Sequence, residues 1–155
     1  MNNSSLAPTG VTTIYIIRHA EKLNATPDTP LSSAGLVRAQ VLAHVLKDAG
    51  ISAIFVTEFL RSRQTATPLA SANGLTPIKY PATTPATAIG KILANHVGGR
   101  ILAIGHTNTV DDLTAGLGAA GVAEMTETQF DRLFVVQRTS AGVFLQRLRY
   151  GVATP

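Results

Sequence analysis

Four side chains in this sequence, Arg18, His19, Arg61 and His106, are of the types that bind a tetrahedral anion and do displacement chemistry on it. A guanidinium stays charged at any working pH and meets phosphate oxygens two at a time. A neutral imidazole can attack phosphorus and hold the group covalently, dividing one hard displacement into two easier ones. A second imidazole can donate hydrogen bonds to oxygens on which charge spreads in the transition state. Thr107 and Asn108, directly after His106, join the anion-binding set, as do main-chain N–H groups at the helix starts near Arg61 and Asn108. Taken singly each residue is weak evidence. A lone His at a strand end is more often a structural hydrogen-bonder, and an Arg near a helix start is usually solvated, as Arg63 is expected to be.

What unites them is where the chain must place them. Residues 13–17, Thr-Ile-Tyr-Ile-Ile, read as a buried strand that ends on Arg18 and His19. Ser32 or Ser33 caps a helix whose apolar residues Leu36, Ala39, Leu42, Val45, Leu46 and Ala49 repeat at helical spacing, with Gly50 as its left-handed terminator. Residues 51–57 form a second strand, so the first β-α-β unit predicts a parallel pair. A helix over 58–73 carries Arg61 in its first turn and a kink at Pro68. A short strand at 78–80, a helix at 84–97, a strand at 100–104 ending before His106, and a helix at 110–117 follow, and residues 133–138 and 143–150 read as a terminal hairpin. The alternation predicts an α/β sandwich, mostly parallel with an antiparallel edge. Carboxyl ends of parallel strands lie on one edge of the sheet, where ligands bind, so the four residues can meet there.

Composition bounds the alternatives. A chain of 155 residues, 45% hydrophobic and 14% charged, fits one globular domain, here residues 1–155 with a polar lead-in at 1–12. The net charge of +4 comes from Lys and Arg that are scattered and not interleaved with aromatics, so no nucleic-acid partner is expected. No apolar run is long enough to span a bilayer, and no membrane partner is expected. The absence of Cys excludes disulfides and thiolate metal sites. No carboxylate stands at ligand spacing beside His19 or His106, so neither metal nor cofactor is expected. Residues 1–10 lack the pattern of a signal peptide, which points to a cytoplasmic chain, with an exported form that has lost its leader left open. His44 and His96 fall inside helices and read as structural, and oligomeric state is not legible.

Arg18-His19-Ala20-Glu21, Leu31-Ser32-Ser33-Ala34-Gly35, Leu60-Arg61-Ser62-Arg63-Gln64-Thr65-Ala66 and Gly105-His106-Thr107-Asn108 resemble, in order and spacing, the motifs of the histidine phosphatase superfamily, the phosphoglycerate-mutase-like group. The resemblance covers nearly the whole chain from Thr13 to Tyr150. It implies a three-layer α/β/α sandwich, His19 as the phosphorylated nucleophile, and Arg18, Arg61 and His106 as the phosphate pocket. Ala20 departs from the Gly usual in the family, a small change with little expected effect. The Asn that many relatives carry in the first loop has no counterpart in register.

The general acid is the more telling departure. Relatives that cleave ordinary esters often supply a Glu between the second and third motifs or an Asp after the second His, yet no Asp or Glu occurs between Glu58 and Asp111, and Thr107 follows His106. General acid catalysis is worth roughly 10²–10⁴-fold and matters most for poor leaving groups. The pattern therefore leans toward a phosphohistidine or another activated phosphate, as in the small phosphohistidine phosphatases, with a phosphorylated small molecule or a phosphohistidine-bearing protein as partner. A replacement acid is the alternative. Glu21 stands first, followed by Asp28, Asp111, Asp112, Glu124 and Glu127, although Glu21 reads more readily as an orienting partner for Arg18 or Lys22. A mutase is disfavoured, because only residues 118–131 are long enough to form even a partial rim, on which Glu124, Glu127 and Asp131 face either substrate or solvent. A non-catalytic phospholigand-binding domain with the same pocket is the rival reading.

Overall fold

The computed structural model describes residues 10–155, so most of the polar lead-in, residues 1–9, lies outside the described residues. Ten elements follow in order: β1 (Thr12–Arg18), α1 (Ser33–Val45), β2 (Ala53–Thr57), α2 (Leu60–Asn73), β3 (Ile78–Tyr80), α3 (Pro85–Asn95), β4 (Arg100–Gly105), α4 (Val110–Gly116), β5 (Arg132–Thr139) and β6 (Gly142–Arg149). The six strands form one sheet in the order β3-β2-β4-β1-β5-β6. The first four are parallel, and β5 and β6 run antiparallel at one edge. This is the expected mixed α/β architecture. No described helix is long and apolar enough to cross a membrane.

Strand alternation divides the core. Ile14 and Ile16 of β1, Phe55 of β2 and Ile101 and Ala103 of β4 pack with Ala88 and Ile92 of α3 and Val110 and Leu113 of α4. Ile17, Ile54, Val56, Leu102 and Ile104 face the other way, onto Leu42 of α1 and Ala66, Leu69 and Ala70 of α2. Because successive side chains of a strand point to opposite faces, strands buried on both faces read as continuous apolar runs. Each fully buried Ile contributes roughly 1.5–3 kcal/mol.

Two details differ from the sequence reading. β1 and β2 are parallel members of the sheet but are not a pair, since β4 lies between them. The periodicity of α1 continues to Ala49, yet the helix ends at Val45. Lys47 and Ala49 then donate to the carbonyls of His44 and Leu46, tightening the chain into turns, and Gly50 takes its positive φ of 71° at the end of those turns. α2 runs through Pro68 to Asn73, closing on Gly74 in the left-handed conformation. His44 is exposed, and His96 caps α3 with its ring edge-on to Phe55.

Candidate phosphate-binding site

β1 and β4 are neighbours, and their register sets Arg18 opposite Gly105. The next residue of each strand is a histidine, and the His19 N–H donates to the Gly105 carbonyl at 3.0 Å. The two imidazoles therefore emerge side by side, with ring centroids 5.1 Å apart. α2 begins three residues after β2 and carries Arg61 over the same edge. Its guanidinium Nε donates to His19 Nε2 at 3.2 Å, and its Nη1 donates to the Pro27 carbonyl at 2.8 Å. Arg18, His19, Arg61, His106, Thr107 and Asn108 all line one cavity of about 280 Å³, with Lys22, Phe59, Ala82, Thr83 and Glu127 completing it.

The hydrogen bonds fix the state of His19. Its Nδ1–H donates to the Ala20 carbonyl at 2.7 Å, so the proton sits on Nδ1 and Nε2 keeps its lone pair. The ring is nearly buried, at 3% exposure. Burial lowers its pKa to about 2, with Arg18, His106 and Arg61 adding to the effect and the Ala20 hydrogen bond opposing it. Desolvation, more than the neighbouring arginines, is the cause. His106 is lowered to about 4, again first by burial and then by Arg61. Its Nε2 is hydrogen-bonded to Thr57 Oγ1 at 3.0 Å, and its main-chain N–H donates to Thr109 Oγ1 at 2.9 Å.

Arg18 is 1% exposed and stacked over the Phe130 ring at 4.0 Å. Its Nη1 donates to the carbonyls of Thr126, Glu127 and Gln129 at 3.2, 2.8 and 3.0 Å, and its Nη2 donates to Glu127 Oε2 at 3.2 Å. Nε has no protein partner among the described residues. Main-chain carbonyls thus claim one side of the guanidinium, leaving Nη2 and Nε as the donors available for an oxyanion.

Glu21 requires correction. It does not line the cavity, and its carboxylate is engaged by Arg38, with Nε at 2.9 Å from both oxygens and Nη2 at 2.8 Å. Its partner is neither Arg18 nor Lys22. Arg38 is 3% exposed and donates onward to the carbonyls of Tyr150 and Val152, so the pair ties the loop after β1 to the chain that follows β6. The other acidic candidates also separate. Asp28 caps Leu60 N–H at 2.8 Å, Asp131 is buried against Arg132 and Arg149, Glu124 is exposed elsewhere, and Asp111 and Asp112 lie on α4 outside the cavity. Glu127 alone among the described carboxylates lines it. The helix start near Arg61 is also less available than expected, because Asp28 takes the Leu60 N–H and the Phe59 carbonyl accepts from Ser62 and Arg63.

Supporting residues that the sequence did not single out explain the motifs. Thr65 Oγ1 accepts the Ala20 N–H at 3.0 Å and donates to the Arg61 carbonyl at 2.7 Å, joining the loop after β1 to the helix that carries Arg61. Gln64 Oε1 accepts the Leu31 N–H at 2.8 Å. Ser32 is the N-cap of α1, and Gly35 is required three residues later because a Cβ there would stand 2.2 Å from the Glu21 carbonyl oxygen. Ala20, 0% exposed, packs with Leu31 and Ala39, so its methyl is accommodated.

Residues 14–83 match the model of the histidine phosphatase superfamily, branch 1. Among curated proteins, the chain is 31% identical over 75 residues to "Probable phosphoglycerate mutase GpmB" of Yersinia pestis, an alignment covering 44% of this chain and 35% of that protein. The chain thus spans about a third of the length of the curated relatives it matches. Among solved structures, it is similar to the protein histidine phosphatase SixA complexed with tungstate, at a TM-score of 0.66 and 21% identity over 88% of this chain and 96% of that one. It is likewise similar to the alpha-ribazole phosphatase from Shigella flexneri, at 0.72 and 16% over 91% and 99%. Residues 14–83 thus match the histidine phosphatase superfamily in sequence, and the chain shares the fold of these solved structures over most of its length.

Proposed function

We propose that the chain acts as a single-domain phosphatase that hydrolyses a phosphomonoester or a phosphohistidine-type substrate through a covalent phosphohistidine on His19. The observation that carries this reading is the fixed tautomer of His19. Nδ1–H is anchored on the Ala20 carbonyl, so Nε2 is an unprotonated nucleophile beside the Arg61 guanidinium. An incoming phosphoryl group meets Arg18, Arg61 and His106, with Thr107 and Asn108 at the same edge, and their positive charge and donors match the charge that develops on its equatorial oxygens. Nε2 forms the bond to phosphorus as the bond to the leaving group breaks. Water then attacks the phosphorus, the P–N bond breaks, and inorganic phosphate departs.

The reaction needs no metal in this scheme, because two arginines supply the charge stabilisation. The tungstate bound by SixA, a tetrahedral oxyanion in a protein of the same fold, supports the anion assignment. Hydrolysis is favoured over a mutase reaction. The cavity is small and polar, and outside the motif loops it is bordered by only a few side chains among the described residues, chiefly Ala82, Thr83 and Glu127. The test is turnover of a chromogenic aryl phosphate without added metal. The parent is expected to hydrolyse it and His19→Ala to lose at least about a thousandfold in rate. Equal rates for the two would exclude the mechanism.

A further inference from the structure

Glu127 occupies an unusual position for a residue with 70% of its side chain exposed. Its Oε2 accepts from Arg18 Nη2 at 3.2 Å and lies 3.8 Å from Lys22 Nζ, while Oε1 accepts from Thr107 Oγ1 at 3.4 Å. An anionic group therefore already sits on the arginine donor that the main chain leaves free, at the mouth of the cavity that holds His19. Its backbone is fixed independently of that carboxylate. The carbonyls of residues 126, 127 and 129 are bonded to Arg18 Nη1, the Met125 N–H donates to the Thr107 carbonyl, and the Thr126 N–H donates to Gln129 Oε1. The side chain can turn while the loop stays in place.

We propose that Glu127 is the proton donor to the leaving group and the acceptor of the proton from the attacking water, an inference that rests on the phosphatase reading above. When a phosphoryl group takes Arg18 Nη2, the carboxylate gives up that hydrogen bond but stays at the cavity mouth, next to the incoming dianion. The carboxyl enters the first step protonated and regains that proton in the second. In the first step Nε2 of His19 bonds to phosphorus, the P–O bond to the leaving group breaks, and the Glu127 proton passes to that oxygen. In the second step a water oxygen bonds to phosphorus, the P–N bond breaks, and the water proton returns to Glu127. The acid comes from the loop between α4 and β5, which explains its absence from the stretch between Glu58 and Asp111. It also extends the substrate class to phosphomonoesters with poor, alkoxide-like leaving groups.

The experiment compares phenyl phosphate, which has a poor leaving group, with dinitrophenyl phosphate, which needs no proton to depart. Glu127→Gln is expected to lower kcat/KM on phenyl phosphate about a hundredfold or more and on dinitrophenyl phosphate less than about threefold. Equal losses on both substrates, or no loss on either, would overturn the role of Glu127. His19→Ala on the same two substrates tests the phosphatase reading separately. Turnover surviving in that variant removes the nucleophile, whereas a leaving-group-independent effect of Glu127→Gln with His19 still essential removes only the proton donor.

Discussion

The Arg61 guanidinium donates its Nε–H to His19 Nε2 across 3.2 Å, placing a fixed cation directly on the nitrogen that would attack phosphorus. The contact holds Nε2 as an acceptor and brings the cation within reach of the oxygens of any group that bonds to it.

Arg61→Lys is expected to lower kcat for aryl phosphate by about 10²–10³, the usual cost of removing a preorganised transition-state donor. Lysine keeps the charge but not the fork that spans His19 Nε2 and the Pro27 carbonyl. Steady-state kinetics of the two proteins checks this, and a change confined to KM would contradict it.

Glu21→Gln separates stability from chemistry. The carboxylate lies against Arg38, whose side chain is 3% exposed, and removing it strands a buried cation. Because Glu21 keeps 19% exposure, the loss is expected at about 3 kcal/mol, the low end for a broken buried pair. Denaturant unfolding measures it. The residual activity of the folded variant should fall by similar factors on good and poor leaving groups, since Glu21 does not border the cavity.

The two neutral histidines make stability, but not turnover, fall with pH below the ordinary histidine range. His19 and His106 are held well below the ordinary 6.5, chiefly by burial. Between that value and their folded values of about 2 and about 4, the unfolded chain binds protons that the folded chain does not. Stability is therefore full above the unfolded pKa and declines as pH falls below it. The denaturant midpoint should be lower at about pH 5 than at about pH 7, while kcat at saturating aryl phosphate should not fall with a histidine-like midpoint over the same range. A kcat profile that rises only above about pH 6.5 would contradict a nucleophile that is already neutral.

The sequence made the candidate site legible because its residues sit at strand ends. Arg18-His19 and Gly105-His106 terminate adjacent parallel strands, and the apolar runs before them left little choice of element. The polar side chains that orient the centre were not legible in the same way. Thr57 on His106, and Thr65 between Ala20 and Arg61, are ordinary threonines until tertiary structure gives them partners. Glu21 looked catalytic because it is two residues from His19. Its real partner, Arg38, is fixed by the packing of α1 against the chain beyond β6, which no local pattern encodes. Glu127 was one of several acidic residues in a segment without regular structure. Only the convergence of three carbonyls of that segment on Arg18 brings it to the cavity.

The most direct measurement of the central claim is rapid-quench trapping with a radiolabelled aryl phosphate. The account predicts a phosphoenzyme in the parent that is labile to acid and stable to base, as a phosphoramidate is, mapped to His19 and absent from His19→Ala. Burst-free turnover with no trapped species, or a label mapped to any other residue, would contradict it.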